Sequence, residues 1–203
     1  MSFDANDRKI YDLFNRNRFI IPRNQRRYVW SKRNWDELFE DISLVVCENF
    51  PAHFIGSIVL KDEGRENGLP NYTIIDGQQR IITLTILLAS ISYCMKINKL
   101  SEDFEGTMQY LVTKNDKAKD TIMVSSEYHE ALESLINKII KSNMTELLKK
   151  NVSTFINGVV ISSHDKNIGE AFKYFINKIR MNEDYLHNPA EYLIKIRDAV
   201  VNI

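Results

Sequence analysis

The chain has 203 residues, 44% of them hydrophobic, enough to bury a proper core as one large domain or as one domain with a helical appendage, and this excludes a disordered protein. Its 27 basic and 27 acidic residues balance, so no global field draws the whole molecule onto nucleic acid or a membrane. Its two cysteines, Cys47 and Cys94, lie far apart among apolar neighbours; they fit neither a disulfide framework nor paired zinc ligands, and point to a reducing, cytoplasmic setting.

In chain order, the first ten residues lack the apolar core of a signal peptide. Between Arg8 and Arg33 the charge is lopsided: Arg8, Lys9, Arg16, Arg18, Arg23, Arg26, Arg27, Lys32 and Arg33 face a single acid, Asp12, and such a window attracts polyanions. Residues 19–22 read as a short strand ended by Pro22, and residues 34–46 as an amphipathic helix with Trp35, Leu38, Phe39, Ile42, Val45 and Val46 on its apolar face. Residues 54–60 and 72–75 read as two strands joined by a polar connection, 61–71, which contains Gly64, Gly68 and Pro70. A helix apolar around most of its circumference follows from Gln78 to about Lys96 and should be the buried centre of the fold. Its greasiest run, 81–95, falls short of the ~20 residues that a spanning helix needs, so no membrane is expected as a partner.

After a boundary near residue 98 only helical periodicity is expected. Tyr128, Leu132, Leu135, Ile136 and Ile139 mark one helix, and Ile168, Phe172, Phe175, Ile176 and Ile179 a second. A third begins at Asn188, with Pro189 at its first position and Glu191 as the partner of the cap. The expected organisation is therefore residues 1–98 as a strand-bearing, nucleotide-binding domain and 99–203 as a helical subdomain. The last five residues lie in an apolar run, which reads as the interior of a longer protein.

Two segments could carry chemistry. In Ile75-Asp76-Gly77-Gln78-Gln79-Arg80 a β-branched strand passes through one glycine into the long helix, and a helix start offers unpaired N–H groups and partial positive charge to an anion. On one reading Asp76 and Gln79 form only a capping box. On the other, the N–H groups of Gly77, Gln78 and Gln79 hold a phosphate that the glycine lets approach, Arg80 clamps it, and Asp76 holds a metal ion or orients a water. The segment lacks the second glycine and Lys-Ser/Thr of a Walker loop. In Arg23-Asn24-Gln25-Arg26-Arg27-Tyr28-Val29-Trp30, arginines interleave with aromatics that either stack on a base or anchor the next helix. His53, His129, His164 and His187 are scattered without metal-binding spacing.

Taken together, Ile21-Pro22, Gln25-Arg26, Tyr28, Trp30, Trp35, Leu38, Asp41, residues 54–60, the Asp76–Arg80 segment and Thr83-Leu84 resemble, in order and spacing, the N-terminal domain of GmrSD-type, modification-dependent restriction endonucleases. The resemblance implies an α+β, ParB/sulfiredoxin-like fold: a small mixed sheet with helices, followed by an all-helical portion. It also implies an NTP-hydrolysing site that couples nucleotide turnover to recognition or cleavage of foreign DNA. In that site Asp76, Gln78, Gln79 and Arg80 would be catalytic, Asp76 would hold a divalent metal such as Mg, and Gly77, Gln25, Arg26 and Thr83 would bind nucleotide. Arg23 and Arg27 would contact DNA. A C-terminal nuclease module or partner subunit is implied as well, and no such module is present in this sequence. Two positions depart from the family pattern: Asn24 stands where Tyr is usual, and Ile82 where Thr is usual. A sulfiredoxin-like phosphotransferase would need a cysteine where Gln78 stands, and is excluded.

Overall fold

A polar chain can still make a strand when the backbone of a neighbour holds it, and the sheet of this protein uses that at its edge. The computed structural model describes residues 8–48, 54–126, 130–149 and 151–203, with the backbone alone at 47, 48 and 149. His53, Tyr128, His129 and the side chain of Cys47 lie outside the described residues. Helix α1 (Ile10–Leu13) leads into β1 (Arg18–Ile21), α2 (Lys32–Glu48), the hairpin of β2 (Val59–Glu66) and β3 (Leu69–Asp76), and then α3 (Gln78–Ile97). Helix α4 (Ser101–Met108), a small hairpin of β4 (Val112–Lys114) and β5 (Asp120–Ile122), and the strand β6 (Val124–Ser126) follow. The rest is helical: α5 (Glu130–Lys141), α6 (Met144–Lys149), α7 (Val152–Asn157), α8 (Lys166–Arg180), α9 (Glu183–His187) and α10 (Pro189–Asn202). The fold is α+β, a small mixed sheet with helices, as the sequence implies.

The four-stranded sheet has the order β2-β3-β1-β6. Strand β1 runs parallel to both neighbours, with Phe19 opposite Tyr72 on one side and Val124 on the other, while β2 and β3 are antiparallel. Phe19 and Ile21 point into the core, 0% and 2% exposed. Two features differ from the sequence expectation. The polar connection 61–71 is mostly strand, closed by Asn67 and Gly68 at φ 50° and 80°, the positive angles that a tight hairpin turn demands. Residues 54–58 are not strand, and Phe54 is 77% exposed; pairing begins only at Val59. The edge position explains the composition, because β2 faces water and draws its stability from backbone pairing with β3.

Strands also occur beyond residue 98, contrary to the purely helical expectation. β4, β5 and β6 have three residues each, too few to display an alternating pattern. Through β6 the second half completes the sheet, and the helices join one core across the expected boundary: Phe39 stacks on Phe175 at 6.2 Å between centroids, and Tyr93 meets Phe155 and Phe172 at 5.1 and 5.6 Å. Helix α3 is the axis of that core, with every residue from Ile81 to Met95 buried. At 20 residues it is long and apolar enough to cross a membrane, so the length argument does not hold; instead, 83% of its most apolar window is buried inside the protein. The start of α10 is as the sequence implies, with the Asn188 side chain accepting the Glu191 N–H at 3.3 Å and Pro189 in the first turn.

Candidate functional site

Strand β3 ends at Asp76, Gly77 adopts a left-handed conformation with φ 88°, and α3 begins at Gln78. Gly77, not Asp76, occupies the N-cap and makes no side-chain cap bond, so the expected capping box does not form. Asp76 stays in the strand opposite Val59, with its carboxylate exposed. The glycine has a packing reason as well. A Cβ there would lie 3.0 Å from Cγ1 and 3.1 Å from Cα of Ile58, so Ile58 fills the space that the sequence reading reserved for a ligand. What remains for an anion is the helix start itself, whose first N–H groups have no intrahelical acceptors.

The glutamines of this junction face the loop between β1 and α2. Gln79 Nε2 donates to the carbonyl of Arg27 at 3.1 Å, and its Oε1 accepts the N–H of Val29 at 2.8 Å and of Trp30 at 3.3 Å. Gln78 Nε2 donates to the carbonyl of Arg26 at 2.7 Å, and Gln25 Nε2 reaches back to the carbonyl of Ile75 at 3.0 Å. Gln78 and Gln79 are 4% and 5% exposed, and the Gln78 Oε1 is buried without a partner among the described residues. Beneath the loop, Tyr28 and Thr83 share a hydrogen bond of 2.8 Å, and Trp35 Nε1 donates to the Tyr28 hydroxyl at 2.8 Å. Burial pushes the Tyr28 phenol well above its ordinary range, against the opposing pull of its bonds to Thr83 and Trp35.

The sequence-derived set therefore divides in two. Gln25, Gln78, Gln79 and Thr83 hold the loop, and Thr83, expected to contact nucleotide, is 0% exposed and sealed beneath it. Asp76, Arg23, Arg26 and Arg27 are exposed around the junction, and Arg80 is partly buried there. A guanidinium N–H of Arg80 donates to the carbonyl of Ser57, and a Cβ on Gly56 would come within 2.9 Å of the Arg80 Cζ. Gly56 is thus a site residue missed by reading 54–60 as a strand; its signal was a glycine inside an apparent β run, which often marks close approach.

Other candidates recede. His164 and His187 are exposed, and no group of three His, Cys, Asp or Glu side chains among the described residues is arranged to hold a metal ion. Mg needs no such cage, since one or two carboxylates together with substrate phosphates suffice, and the exposed Asp76 fits that arrangement. Cys94 is fully buried, and desolvation pushes its thiol up to about 12.

The sequence matches the family described as GmrSD restriction endonuclease, N-terminal domain, over residues 10–198. The chain belongs to that family. The GmrSD match runs from α1 to α10 and so takes in both the sheet and the helices that complete its core. Among curated proteins none matches. As a GmrSD domain, the chain is a component of restriction, a defence against phage whose target is DNA.

Proposed function

We propose that this domain binds and hydrolyses an NTP and couples that turnover to recognition or cleavage of foreign, modified DNA. The observation that supports the reading most is the junction of β3, Gly77 and α3, where an exposed carboxylate, a helix start and an arginine meet beside three exposed loop arginines. In this reading the N–H groups of Gly77, Gln78 and Gln79 receive the phosphates, Arg80 and Arg26 neutralise them, and Asp76 would hold a divalent metal. The metal supplies charge neutralisation when bound. Gln25, Gln78, Gln79 and Thr83 act at one remove, by fixing the loop that carries Arg26 and Arg27 against the helix start. A ParB-like arrangement of sheet and helix start accords with this division. Arg23 and Arg27 contact DNA backbone, and a nuclease module or partner subunit performs the cut.

Phosphate release from each ribonucleoside triphosphate, measured with Mg present, tests the reading. Wild type should turn over at least one of them, and Asp76→Ala should abolish release with little change in melting temperature, since the carboxylate is exposed and caps nothing. Absence of release in the wild type, or full activity in Asp76→Ala, would sink it.

A second reading, a nucleotide- or DNA-binding module without turnover, is favoured by one specific observation. Both ends of the Gln79 amide are bonded to the loop, so this glutamine is not free to orient a water. Under that reading nucleotide raises the melting temperature by mass action without phosphate release, and Arg80→Ala removes the rise.

A further inference from the structure

A cleft lies at the other end of the sheet. Strand β1 runs from Arg18 to Ile21, with the glutamine-held loop after its last residue; before its first residue is a cleft of about 310 Å³ between α1 and the segment joining α4 to β4. Its walls include Tyr11 and Tyr110, whose rings meet edge to face at 6.1 Å. Tyr110 is 8% exposed and fixed, whereas Tyr11 is 47% exposed and presents an aromatic surface to solvent. Arg16 and Lys114 stand at the same cleft, both exposed, and neither has an ion pair among the described residues. Among the described residues no carboxylate lines it.

Arg16 carries a further mark. It sits in the left-handed region at φ 58°, just after the end of α1, where glycine or asparagine is the usual occupant. A bulky residue held there is strained, and such strain is common where the side chain has a task. Two exposed cations, an exposed aromatic surface and polar Asn15, Gln109 and Thr113 suit a ligand with an aromatic face and a single negative charge beside it. The cleft is at the small end of the range for ligand sites, too small for an enclosed triphosphate but sufficient for a base with its phosphate. Arg16 also stands ahead of Arg23, Arg26 and Arg27, cations of the loop that follows the same strand, while Arg18 between them is paired with Glu66; a row of this kind fits a polymer better than a free small molecule.

We propose that this cleft binds one unstacked nucleotide of a DNA single strand, with the base on Tyr11 and the phosphate between Arg16 and Lys114. The site is separate from the junction at Gly77 and does not depend on nucleotide hydrolysis there. Fluorescence anisotropy with a labelled single-stranded oligodeoxynucleotide and with a blunt duplex of the same sequence tests it on the full chain. Wild type should bind the strand more tightly than the duplex. Tyr11→Ala should weaken strand binding about five-fold or more. Arg16→Gly, a substitution that suits the left-handed backbone and so preserves folding, should weaken it and lower the salt slope by about 0.7. Arg16→Lys should restore much of the loss. Wild-type affinity in both Tyr11→Ala and Arg16→Gly, preference for the duplex, or equal affinity for the strand and a free deoxynucleoside monophosphate would overturn the proposal.

Discussion

Gln79 satisfies three backbone groups of another segment with one amide, and this makes it the most constrained polar side chain of the junction. Gln79→Leu leaves the N–H groups of Val29 and Trp30 and the carbonyl of Arg27 unpaired, so a loss of about 2 kcal/mol is expected in urea denaturation. Gln79→Glu keeps the acceptor for Val29 and Trp30 but sets a buried carboxylate oxygen against the Arg27 carbonyl, so it too should destabilise. Gly77→Ala is expected to cost about 1–3 kcal/mol, because φ 88° disfavours any side chain and Ile58 occupies its place. The sequence made Asp76, Gly77, Gln78, Gln79 and Arg80 legible as a group but not their directions. A helix-start pattern is local, and a capping box accounts for Asp76 and Gln79 as long as nothing distant competes. The backbone of residues 26–30 does compete, and it becomes a neighbour only through tertiary packing.

Among the elements, helices were readable where an apolar stripe faces a core. α2, α8 and α10 follow their periodicity, and α3, apolar on all sides, is accordingly buried. The expected costs differ with that role. Leu84→Ala in the middle of α3 should cost about 2–5 kcal/mol by leaving a cavity, whereas Asn188→Ala at the start of α10 should cost only about 1 kcal/mol, the size of a lost cap; thermal or urea unfolding of the two variants checks the ratio. Strands were less legible. β2 is a charged edge whose order comes from backbone pairing, and β6 has no pattern of its own beyond Val124. Both owe their state to β1 and β3, which a window of neighbouring residues does not contain.

For the molecule as a whole, alkaline pH is the expected weakness. Burial raises Tyr28, Tyr93, Tyr110, Tyr174, Tyr185 and Cys94 above their ordinary values. Each raised group binds its proton more tightly in the folded chain, so its contribution is complete below the unfolded value and declines as pH rises past it. With Cys94 moving from 9.0 to about 12, the urea midpoint should hold up to about pH 9 and fall above it. A titration that stays flat from pH 9 to 11 would contradict this account. The parallel pairing of β1 with β6 has a different implication, in time. Phe19 donates its N–H to the carbonyl of Met123, and Ile21 is registered with Ser126, so one side of β1 has no partner until more than a hundred further residues have left the ribosome. At ~5–20 residues per second that interval is roughly 5–20 s. Over that interval the nascent chain carries an open strand edge, and towards its end an α3 whose later helical partners are still unmade, so slower synthesis should favour aggregation over folding unless a chaperone covers the interval.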